Sequence, residues 1–97
     1  MEDVVYYNEL YDLYGELLTD KQRKYFEDYY FDNLSFSEMA EDYDVSRNAA
    51  FKQVHIVMDK LDELEKKLHL LYKKKKIISI IDSTNDENMR KKLEELI

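Results

Sequence analysis

Between Ser46 and His55 the chain reads Ser-Arg-Asn-Ala-Ala-Phe-Lys-Gln-Val-His, its best set of side chains for contact chemistry. Arg47 and Lys52 carry charge suited to phosphate oxygens. Asn48 offers the paired donor and acceptor that match an adenine edge in the major groove. Ser46 is a good helix N-cap, which places Arg47 on the exposed first turn of a helix. On a helical wheel Asn48, Lys52, His55 and Asp59 fall opposite Ala50, Val54, Val57 and Leu61. Ser46, Arg47, Asn48, Lys52 and His55 are therefore the candidate nucleic-acid-binding residues. The same pattern also suits the solvated face of a packed helix, and Asp59 with its acidic neighbours repels phosphate.

Other chemistry has less to stand on. His55 and His69 are fourteen residues apart with no third ligand at metal spacing, so no metal is expected. Carboxylates abound, but no nucleophile is paired with a base and no glycine-rich phosphate loop occurs; neither enzyme activity nor a cofactor is expected. The nine tyrosines suggest base stacking, but most sit on apolar helix faces where packing is the better account. The run Lys73 to Lys76 suits a phosphate backbone or an anionic membrane, and equally a solvated helix end favoured by its dipole.

These residues need helices to position them. One glycine, Gly15, and no proline leave few backbone breaks, and the fold class is all-α. A first helix over about Asp3 to Leu18 carries the stripe Leu10, Leu13, Tyr14, Leu17 and Leu18. Thr19 with Gln22, and Ser35 with Glu38, read as capping boxes opening the second and third helices. The third ends near Asp42. A tight turn at Tyr43-Asp44-Val45, with Asp44 at the position that wants positive φ, leads to the helix capped by Ser46. Ala40 is the small residue where the two helices cross, and Met39, Tyr43, Val45, Ala50 and Val54 are the expected buried positions. Phe36 to Met58 is thus a helix-turn-helix. From Val54 the pattern Val57, Leu61, Leu64, Leu68, Leu71 keeps heptad-like spacing. A helix continuous to about Lys76 would span roughly 45 Å, longer than one small core covers, so a homodimer through Leu61 to Leu71 is expected. Thr84 with Glu87 suggests a third capping box before a final helix bearing Met89, Leu93, Leu96 and Ile97. The expected division is a helix-turn-helix domain at 1–72 and a helical extension at 73–97.

Charge qualifies the reading. Residues 1–45 hold 13 acids and 3 bases, a balance of −10; residues 46–97 hold 9 acids and 12 bases, a balance of +3. Phosphate binding normally draws on a basic surface, which only the second half can offer. The absence of cysteine, the acidic start and the lack of a long apolar run point to a cytoplasmic protein without a membrane span.

The segments Leu18-Thr19-Asp20-Lys21-Gln22-Arg23, Leu34-Ser35-Phe36-Ser37-Glu38-Met39-Ala40 and Val45-Ser46-Arg47-Asn48-Ala49-Ala50-Phe51 resemble the YlxM family. These are small bacterial helix-turn-helix proteins associated with the signal recognition particle and similar to region 4 of sigma factors. The resemblance runs from about Leu10 to Tyr72. It implies a sigma region 4-like helix-turn-helix bundle with a long recognition helix. It further implies a nucleic-acid-binding regulatory or accessory role, with DNA or signal recognition particle RNA as ligand. Where sigma-like recognition helices often carry bases, this chain has Phe51, His55 and Ile56. The competing expectation is an adaptor whose acidic half docks on the signal recognition particle GTPase without reading DNA.

Overall fold

A computed structural model describes residues 3–97. Helix α1 (Val4–Tyr14) runs into a single 3-10 turn, Gly15–Leu17. The helices α2 (Asp20–Tyr30), α3 (Phe36–Tyr43), α4 (Arg47–Leu68), α5 (Leu70–Ser83) and α6 (Glu87–Glu94) follow. There is no strand among the described residues.

The capping boxes of α2 and α3 both form. The Thr19 hydroxyl accepts from the Gln22 N–H at 3.1 Å while the Gln22 side chain accepts from the Thr19 N–H at 2.9 Å. Ser35 and Glu38 repeat the exchange at 3.1 and 3.0 Å. Each box satisfies two donors that a helix start leaves orphaned. The box expected at Thr84 does not form. Asp86 caps α6 instead, accepting from the N–H groups of Asn88 and Met89, and Thr84 accepts from Asp86.

The core is one cluster threaded by α4, whose Ala50, Val54, Val57, Met58 and Leu61 meet Leu10 and Tyr14 of α1, Tyr25, Phe26 and Tyr30 of α2, and Met39 of α3. Burying each large apolar side chain contributes about 1.5–3 kcal/mol. Two expected core positions are corrected. Leu17 is exposed, because the 3-10 turn tightens the chain to three residues per turn and swings it off the α1 stripe. Val45 is exposed because it follows the left-handed Asp44, where the chain leaves α3 before α4 begins.

The largest departure lies in the long helix, which ends at Leu68. His69 takes φ 57° and ψ 29°, and α5 starts afresh at Leu70. The three N–H groups freed by the break are caught by side chains: Leu70 donates to the Tyr14 hydroxyl at 3.0 Å, Leu71 and Tyr72 to the two Glu65 carboxylate oxygens at 3.0 and 3.1 Å. Tyr14, fully buried, donates in turn to Glu65 at 2.6 Å. The joint turns α5 back onto α1, where Lys75 pairs with Glu9 at 3.5 Å. The lysine run therefore lies inside α5 and not at a helix end. Leu61 and Leu71 are buried within the chain, so they cannot form the expected dimer contact.

Partial burial pushes the Glu65 carboxyl up, but the Tyr14 hydroxyl and the Leu71 and Tyr72 N–H groups outweigh it and hold the carboxyl below its ordinary value. Burial and the bond to Glu65 push the Tyr14 hydroxyl up to about 12. A lowered carboxyl stabilises the fold above its unfolded-state pKa and loses that contribution as pH falls through the folded value. Glu65→Gln is expected to lower stability by about 1.5 kcal/mol near neutral pH. The deficit relative to wild type should shrink as pH drops below about 4. Chemical unfolding of both proteins at a series of pH values checks this; a pH-independent deficit would contradict the capping role. For Tyr14 the sign reverses, and its contribution is lost as pH rises from about 10 toward 12.

Candidate nucleic-acid interface

The third and fourth helices present the candidate residues because the second holds the third in place. Asp28, the buried carboxylate of α2, accepts from the Tyr43 hydroxyl and from Lys24 at 3.2 Å, and the Tyr25 and Tyr43 rings lie 4.7 Å apart. Burial, then the bond to Asp28, pushes the Tyr43 hydroxyl above its ordinary value. Asp44 then turns the chain with φ 53° and ψ 48°, the left-handed conformation expected of it. The Val45 N–H reaches back to the Ala40 carbonyl at 3.0 Å, closing α3 with the six-to-one bond of a Schellman turn. Ser46 begins α4, its hydroxyl accepting from the Ala49 N–H at 3.0 Å.

Arg47, Asn48 and Lys52 are all exposed beside that helix start. The first turn of α4 carries no acid, so the positive end of its dipole is not neutralised locally. Asn48 and Lys52 make no side-chain hydrogen bond or ion pair among the described residues. The arrangement leaves two cations and one amide on the open side of a helix N-terminus, which suits a polyanion.

His55 is placed differently. Its ring stacks on Phe51 at 4.0 Å, and its Nδ1 lies 3.0 Å from the Phe51 carbonyl oxygen. Phe51 meets Phe36 edge-on at 5.3 Å, and Phe36 stacks on Tyr29 at 4.9 Å. The Arg47 guanidinium sits 5.9 Å from the Phe36 ring centre, within reach of a cation–π attraction that steadies it. Sequence reasoning missed Phe36 and Phe51 as parts of this surface. The i, i+4 spacing of Phe51 and His55 was a usable signal, whereas Phe36 is joined to them only by the helix crossing.

The tyrosines serve the framework. Tyr7 donates to Asp62 at 2.9 Å, Tyr11 to Glu27, Tyr14 to Glu65 and Tyr43 to Asp28. Among the described residues no group of three His, Asp or Glu stands close enough to hold a metal. No helix there is long and apolar enough to cross a membrane.

Two helices joined by a tight left-handed turn, the second capped and exposing polar side chains, define a helix-turn-helix protein. The family described as "Putative helix-turn-helix protein, YlxM / p13 like" matches residues 1–97. The chain is 39% identical to a UPF0122 protein of Mycoplasma capricolum over 92 residues, 95% of this chain and 81% of that one. It is 43% identical to a UPF0122 protein of Halalkalibacterium halodurans over 79 residues, 81% and 72% of the two chains. A UPF0122 protein of Shouchella clausii is 48% identical over 66 residues, 68% of this chain and 61% of that one. The chain belongs to the UPF0122 family, the YlxM / p13-like helix-turn-helix proteins.

The turn supplies a direct check of this geometry. Asp44 occupies a left-handed position that costs an L-residue energy and glycine none, offset in part by the greater freedom of unfolded glycine. Asp44→Gly is expected to raise stability by about 0.5 kcal/mol, a melting shift of roughly 2–4 °C. A lowered melting temperature would contradict the positive φ at this turn.

Proposed function

We propose that the protein is a nucleic-acid-binding accessory factor of the signal recognition particle pathway, acting in the cytoplasm through the face that begins at Ser46. Arg47 and Lys52 hold phosphates. Asn48 reads a base edge, and Ser46 orients the first turn. His55, stacked on Phe51, shapes the rim of the contact more than it reads sequence. In this reading residues 1–72 are the binding domain and 73–97 an extension of it. The ligand is DNA or the RNA of the particle; the helix-turn-helix family supports nucleic-acid binding, and the link to targeting rests on the resemblance carried by Leu18 to Arg23, Leu34 to Ala40 and Val45 to Phe51. The observation that carries the proposal is the start of α4, where exposed Arg47, Asn48 and Lys52 flank an acid-free helix N-terminus.

A second reading rests on the charge imbalance. The balance of −10 over residues 1–45 repels a polyanion and attracts a basic protein, which favours an adaptor docking on the targeting GTPase.

Fluorescence anisotropy with labelled duplex DNA and with signal recognition particle RNA tests the first reading. Binding should weaken steeply with salt, and Arg47→Glu combined with Lys52→Glu should reduce affinity at least tenfold, about 1.4 kcal/mol. Undiminished binding by a double variant with wild-type melting would remove the site assignment. Binding of the purified GTPase that survives both nuclease treatment and the double substitution would favour the adaptor.

A further inference from the structure

The α5–α6 hairpin lacks a core of its own. Thr84 to Asp86 form its turn, and α6 has no buried residue. Eight-residue helices do not persist alone in water, so α6 needs a packing partner. In the chain it has α5, yet Ile80 is 49% exposed, Met89 47% and Leu96 69%. A groove of about 490 Å³ is lined by Leu70, Ile77, Leu96 and Ile97 of this region together with Leu13 of α1. The molecule is correspondingly drawn out to 56 × 24 × 20 Å, with a radius of gyration of 17.0 Å. A compact chain of this length would have about 12.5 Å.

We propose that this hairpin is a homodimerisation element, and that two copies pack their hairpins antiparallel across a two-fold axis into a four-helix bundle. A helical hairpin with one uncovered apolar side completes its core by meeting an identical hairpin. Charge selects the occupant and its direction. The open end of the hairpin joins Lys73, Lys74, Lys76 and Lys92 with Glu94 and Glu95, a balance of +2, Lys75 being paired with Glu9 of α1. Residues 77–89, around the turn, carry Asp82, Asp86 and Glu87 and no base, a balance of −3. Arg90 is held within the chain by the Thr84 carbonyl at 2.8 Å and by Glu87 at 3.8 Å. Lys91 falls on the side of α6 away from Met89 and Leu93, and Leu96 lies in the turn just past the helix. An antiparallel pair sets each positive end against the partner's negative end, whereas a parallel pair sets like against like. A second copy therefore supplies both the apolar face and the complementary charge.

Sedimentation velocity of the full chain from about 5 to about 200 µM should resolve a dimer of twice 11.8 kDa. Ile80→Glu combined with Leu96→Glu should leave a monomer with unchanged helical circular dichroism. If that variant loses helix, Ile80→Ser with Leu96→Ser replaces it in the same measurement. Two charge variants test the direction: Lys73→Glu with Lys74→Glu, and Asp82→Lys with Glu87→Lys. Each alone should associate about tenfold more weakly than wild type, and an equimolar mixture should recover the heterodimer. A wild-type monomer at the highest concentration would overturn the proposal and leave the face to a different partner. A persistent dimer in a well-folded Ile80/Leu96 variant would overturn the location, and failure of the mixture to recover would overturn the antiparallel arrangement.

Discussion

The rest of the structure depends on one fully buried tyrosine. Tyr14 closes α1, donates its hydroxyl to Glu65 near the end of α4, and accepts from the first N–H of α5. Glu65 uses its remaining capacity on the next two N–H groups, so three helices share one pair of side chains. A helix start whose N–H groups find no partner is costly, and His69 in the left-handed region adds strain of about 1–2 kcal/mol. The joint exists because this pair satisfies every donor it exposes. Without it the leucine pattern favours a helix running straight on, and α5 would not return to α1.

The same device recurs across the domain. Tyr7 with Asp62 ties α1 to α4, Tyr11 with Glu27 ties α1 to α2, and Tyr43 with Asp28 ties α3 to α2. These contacts engage Glu27 and Asp28, two of the thirteen acids of residues 1–45, together with Asp62 of α4, and so fix a few carboxylates against the aromatic core. They also leave the start of α4 outside the network. Arg47, Asn48 and Lys52 face solvent there, and the third helix is braced from behind by Asp28 and Tyr43. The proposed binding face is thus braced in backbone and open in side chains, the combination that contact chemistry needs.

Helix identity and the starts of α2, α3 and α4 were legible in the residues because both are local. The boxes at Thr19 and Ser35, the cap at Ser46 and the left-handed Asp44 depend on neighbours within a few positions. The stripe Ala50, Val54, Val57 and Leu61 was legible for the same reason, since helical period alone decides which side it takes. Of the candidate site, exposure of Arg47, Asn48 and Lys52 followed from that period. The involvement of Phe36, and the capture of His55 by Phe51 within an aromatic row, did not.

The sequence by itself determined an all-α chain, its helix-turn-helix, the caps that frame it and the uneven charge of its two halves, because short-range propensity and spacing carry that information. The tertiary structure decided where the long helix breaks, that the lysine run sits within α5, and which leucines stay exposed. Those outcomes turn on pairs such as Tyr14 with Glu65, 51 residues apart. No local pattern encodes such a meeting; only the folded chain brings the two groups within hydrogen-bond distance.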